Sequence, residues 1–137
     1  MAYTYVISLK YNLCYVSITG EMNGKEVIRF KTKIFSDPEW KSGMNQINDY
    51  LKVKRLVLDK DDIDLITEME KERDNKVKDN KRKLAIVSDN DLYRAIFKYY
   101  EVIAGKLSYK TKVFSTREQA LKWLGLDVYP YSLINTE

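Results

Sequence analysis

Lys83-Leu84-Ala85-Ile86-Val87-Ser88-Asp89-Asn90-Asp91 is the stretch that decides the fold. Leu84 to Val87 run apolar without alternation, as a strand covered on both faces requires. Ser88 to Asp91 then supply helix-capping side chains, and Leu92, Ala95, Ile96, Tyr99 and Ile103 recur at helical spacing up to a stop at Gly105. A buried strand leading straight into an amphipathic helix is the unit from which parallel sheets are built.

The same alternation continues downstream. Residues 110–114 read as a strand, and 116–124 as a short helix opened by Thr116 with Gln119 three positions on, a capping-box spacing, and closed by Gly125. Upstream, 3–9 and 13–19 are rich in β-branched and aromatic residues and are joined through Asn12, which predicts a hairpin. Gly20 and Asn23-Gly24 end the second strand and open a new element. Residues 25–35 fit both periods, since Val27, Phe30, Lys31 and Ile34 share a helical face while Ile28, Phe30, Thr32 and Ile34 alternate. A helix ending before Asp37-Pro38 is expected, because proline disfavours the α conformation in the residue before it. A loop over 36–43 leads to a strand at 44–51. A helix starts near Asp61, with Asp59 as a capping carboxylate and further acid in the first turn. The charged stretch 70–83 is expected to be a solvated face and then a loop.

The order β-β-α-β-α-β-α-β-α predicts an α/β fold: one domain over residues 1–125, with a hairpin leading into a mixed, mostly parallel sheet of about five strands flanked by about four helices. Residues 126–137 form a C-terminal tail without a clear period.

Composition narrows the chemistry. The 137 residues contain no histidine and one cysteine, Cys14, which sits in an apolar alternating run and reads as core. These counts exclude an intrachain disulfide, Cys/His zinc sites, and serine or cysteine nucleophiles activated by histidine. Twenty-four basic against 20 acidic residues give a net charge of +4, a surplus without the clustering that nucleic-acid binding needs. No apolar run approaches the ~20 residues that span a bilayer, and the first residues lack the pattern of a secretory signal. A cytoplasmic location without membrane insertion is expected.

No cofactor is implied. Gly20 and Gly24 are the only close glycine pair and match neither a phosphate loop nor a dinucleotide fingerprint. The acidic run Asp59, Asp61, Asp62, Asp64 lacks the glycine and ligand spacing of a calcium loop. Asp89 lies where open sheets often bind ligands, beyond the carboxyl end of a central strand, and Arg94, Lys98 and Tyr100 follow it on the next helix. Helix capping for Asp89 and solvated charge for Arg94 and Lys98 are the favoured readings. The aromatics Tyr93, Phe97, Tyr99, Tyr100 and Trp123 exceed what a minimal core needs, which leaves room for an apolar pocket or a subunit contact.

The order of elements and several phrases resemble the STAS superfamily, and within it the SpoIIAA-like, or STAS/SEC14-type, bacterial branch. The phrases are Asp37-Pro38, Gly43 and Asp49, then Ala85-Ile86-Val87 before a helix ending in Tyr100-Glu101, and finally Val113-Phe114 followed by Ala120, Trp123 and Leu124. The resemblance implies a SpoIIAA/STAS-like fold, and it places Lys98 roughly where the branch carries an arginine. It also implies a regulatory role, in the superfamily's best-known form a switch made by phosphorylating a serine at the start of the helix after the third strand. Here that junction reads Leu58-Asp59-Lys60-Asp61-Asp62, with no hydroxyl before Thr67, and its carboxylates would repel a phosphate.

The function expected is therefore a non-enzymatic regulatory or protein-interaction module, with a protein partner or self-association. The alternative is a carrier or sensor of a small apolar or lipid-like ligand. Asp49, Asp59, Asp89, Arg94, Lys98 and Tyr100 are the candidate contacts.

Overall fold

The apolar run that opens the argument becomes β4 (Lys83–Val87), the inner strand between β3 (Asn45–Val57) and β5 (Lys110–Phe114). The computed structural model describes residues 3–78 and 81–126; the C-terminal tail expected at 126–137 lies, apart from Leu126, outside them. The sheet order is β1-β2-β3-β4-β5, with β1 (Tyr3–Ser8) antiparallel to β2 (Leu13–Asn23) and every later neighbour parallel. Asn12 turns the hairpin in the left-handed region, φ 51°, which asparagine tolerates better than most residues.

Each parallel crossover advances one strand in the same direction, and such crossovers share one hand, so their helices fall on one face. α1 (Gly24–Phe35), α2 (Lys60–Lys76) and α3 (Asp91–Ile103) do so, burying Val27, Phe30, Ile34, Ile63, Ile66 and Phe97 against Val16, Ile18, Leu84 and Ile86. α4 (Arg117–Trp123) covers the opposite face, where Ala120 and Leu121 meet Ile47, Ala85 and Val87. Cys14 is core, and burial pushes its thiol up to about 12.

Segment 25–35 is a helix, as proline at position 38 suggested. Three features differ from expectation. β2 does not end at Gly20. It passes through it as an irregularity in the pairing, with Gly20 at φ 63°, and continues to Asn23 opposite Val57. β3 accordingly runs six residues past 51, its exposed Lys52, Lys54 and Arg55 alternating with the more buried Val53 and Leu56. The third difference is chemical. The charged stretch after Glu70 is not simply a solvated face: α2 continues to Lys76, and Glu70, Asp74 and Arg82 are buried. Ile63, Ile66, Glu70 and Asp74 follow one another at three- and four-residue steps, so the two carboxylates extend the apolar stripe into the core.

Candidate functional site

The carboxyl ends of β4 and β5, with the early part of β3 that lies beside them, gather the first group of candidates. Asp49 lies opposite Val87, which lies opposite Phe114, and Ser88 N–H donates to the Phe114 carbonyl at 3.0 Å. The buried Asp49 carboxylate accepts from the Tyr15 hydroxyl, from Arg117 Nε at 2.7 Å and from Leu51 N–H at 2.9 Å. Burial, then the Asp49 charge, raises the Tyr15 phenol; burial lowers Arg117, but the bond and charge of Asp49 together with those of Tyr15 outweigh it and leave it raised. This triad fastens the first turn of α4 to the sheet, and it leaves Asp49 with no face turned to solvent.

Asp59 serves α2 instead. Its carboxylate accepts from Asp62 N–H at 2.8 Å while Asp62 accepts from Asp59 N–H at 3.1 Å, a reciprocal box that satisfies two otherwise orphan amides. Asn90, not Asp89, caps α3 by accepting from Tyr93 N–H at 3.1 Å. Arg94 donates to the Ser88 carbonyl at 3.0 Å and pairs with Asp91. Asp89 and Lys98 are exposed.

Tyr100 lies on the other side of the sheet from Asp49, in a network that the sequence did not single out as a site. Glu70 accepts from the Tyr100 hydroxyl at 2.6 Å, the Tyr109 hydroxyl at 2.9 Å and Lys31 Nζ at 3.0 Å, which ties α1, α2 and α3 to the segment before β5. Burial pushes the Glu70 carboxyl up, but the Lys31 charge and the bonds from Tyr100 and Lys31 outweigh it, so it stands below its ordinary value. Lys31 has this carboxylate against its own burial, and burial wins, lowering it. Beside them Arg82, wholly buried, donates to Gln46 Oε1 at 2.8 Å and lies over the rings of Tyr109, Trp40 and Phe35 at 4.3, 5.2 and 5.3 Å. Its Nε and Nη1 have no hydrogen-bond partner among the described residues, so aromatic faces carry much of its charge. The usable signal was the stripe itself: Lys31 falls on α1's apolar face, and Glu70 on that of α2.

Between these helices and the sheet is a cavity of about 20 Å³, lined by Lys31, Asn48, Tyr50, Ile86, Phe97 and Tyr100 among others. That is room for one water and not for a lipid-like ligand. Among the described residues no three histidine, cysteine or acidic side chains are grouped as a metal site, and no helix is long and apolar enough to cross a membrane.

No protein-family model matches the chain, and no curated protein matches it. Solved structures do. An uncharacterised protein of the DUF3478 family with a SpoIIAA-like fold, from Shewanella loihica PV-4, superposes with a TM-score of 0.55 over 90% of this chain and 94% of its own, at 13% identity. The anti-sigma factor antagonist SpoIIAA in its unphosphorylated form superposes with a TM-score of 0.51 over 90% of this chain and 98% of its own, also at 13% identity. The fold is SpoIIAA-like. In this SpoIIAA-like chain α2 opens on the Asp59–Asp62 box, and Thr67, the first hydroxyl within the helix, is buried and donates back to the Ile63 and Asp64 carbonyls.

Proposed function

We propose that this chain is a non-enzymatic regulatory module that binds a protein partner through the outer faces of α2 and α3, without a phosphorylation switch at the start of α2. The observation that carries the reading is the exposure of Leu65, Leu92 and Val102, at 61, 80 and 73%, on helices whose other large aliphatic residues are mostly turned inward. Leu92, Ala95, Tyr99 and Val102 recur at helical spacing along α3, so their apolar surface forms a line rather than scattered points. The structural likeness to an anti-sigma factor antagonist supports a partner that is a protein. A carboxylate box in place of a hydroxyl supports constitutive rather than phosphate-gated recognition, because phosphate there would meet like charge.

The experiment compares wild type with the triple variant Leu65→Glu, Leu92→Glu, Val102→Glu by in-cell cross-linking and mass spectrometry in the source organism. The expected result is a discrete cross-linked partner in wild type that disappears in the variant while the variant's circular dichroism is unchanged. Equal cross-linking in both, or none in wild type, overturns the proposal.

A further inference from the structure

We infer that the free edge of β5 is a docking strand for an extended, acidic segment of a protein partner, and that Glu101 guards it. This surface is separate from the outer faces of α2 and α3 and does not rest on them.

Among the described residues β5 pairs with β4 on one side only, and its other edge carries no strand. Lys110 N–H donates to the Arg82 carbonyl and the Phe114 carbonyl accepts from Ser88 N–H, so Lys110, Lys112 and Phe114 turn their peptide groups toward β4. Thr111 and Val113 therefore turn theirs outward. Glu101, reaching from α3, accepts the outward Val113 N–H at 2.9 Å and so occupies the middle of the edge. Thr111 lines a surface groove of about 480 Å³ together with Glu101, Leu107, Tyr109, Lys110, Lys112 and Trp123.

The chemistry of the occupant follows from the two faces of the edge. Lys110 and Lys112, two positions apart and both exposed, stand on the same side of the strand and match acidic side chains at every second position of an added strand. Leu107 and Tyr109 lie toward the α3 side and match apolar side chains at the intervening positions. Main-chain hydrogen bonds at an edge supply affinity, and alternate side chains supply selectivity. The Glu101 carboxylate is the guard: a partner carbonyl must displace it to reach Val113, which also keeps unpaired strands off this edge.

The test pans a random linear peptide library on the whole protein, then follows backbone amide exchange by NMR with the selected peptides. Peptides alternating acidic and apolar residues are expected, with slowed exchange at Thr111 and Val113. Lys110→Glu with Lys112→Glu is expected to weaken them by about tenfold, in keeping with two rim charges reversed. Glu101→Ala is expected to tighten them, and the Leu65, Leu92, Val102 triple variant to leave them unchanged. Selection of no peptides, selection without acidic preference, or binding indifferent to the lysine reversal overturns the inference. So does a wild-type dimer by light scattering that the lysine reversal dissociates, since the edge would then serve a second copy.

Discussion

Lys31 on α1 and Glu70 on α2 meet at 3.0 Å inside the core, with both side chains almost wholly withdrawn from water. Two ions in such a place stabilise only if each is fully served. Glu70 is, with three donors, whereas Lys31 has this one carboxylate and the faces of Tyr100 and Phe30 at 5.6 and 6.0 Å.

Breaking the pair is therefore expected to cost more than deleting it. Lys31→Met strands a buried carboxylate and should lower unfolding free energy by about 3–5 kcal/mol. Adding Glu70→Gln should recover much of that loss, because the carboxylate stranded without Lys31 is gone and the amide still accepts from Tyr100 and Tyr109. Urea unfolding of both variants checks the order.

Acid should attack the same place. The Glu70 carboxyl stands below its ordinary 4.5 in the folded chain, so the unfolded chain takes the proton first as pH falls. Its contribution is intact above about pH 4.5, the ordinary value, and is lost as pH drops through the lower folded value. Glu70→Gln should flatten this limb in melts from neutral to acid pH. Asp37 adds to the same limb, lowered by the bonds it accepts from Tyr5 and from Glu39 N–H.

Arg117→Leu removes the charged donor from Asp49 and leaves Tyr15 and the Leu51 amide. A partly exposed arginine lost from a buried carboxylate should cost about 1–3 kcal/mol. Hydrogen exchange should quicken in α4 but not in α1, and Asp49→Asn in the same chain should soften the effect.

At Gly24 a methyl group would stand 2.7 Å from Asp62 Oδ1, within the box that caps α2. Gly24→Ala should therefore lose about 1 kcal/mol, the worth of a cap, despite alanine's better helix propensity. In an Asp62→Ala background the same substitution should be neutral or favourable. Thermal melts of the four chains give the coupling.

The network around Glu70 could not be read as a site from residue types. Glu70, Asp74 and Arg82 sit among so many charges that local composition favoured solvent, and only the continuation of the Ile63–Ile66 stripe pointed inward. The end of β3 was hidden for a related reason: Lys52, Lys54 and Arg55 look like a loop until β2 is seen to pass Gly20 and supply the partner strand. Asp89 shows the reverse, a residue in a promising place whose neighbour Asn90 takes the capping role.

By itself the sequence determined the strand-to-helix alternation, the hairpin, a helix start within Ser88–Asp91 and another at Thr116, and a repertoire without histidine or paired thiols. Those follow from periodicity, capping and counting, which act over a few residues. Only the tertiary structure decided that Asp49 and Tyr100 lie on opposite faces of the sheet, that Lys31 finds Glu70 thirty-nine residues away, and that Glu101 covers the Val113 amide. The physical reason is that a side chain's partner across a sheet or between helices is set by register and packing, which no local pattern encodes.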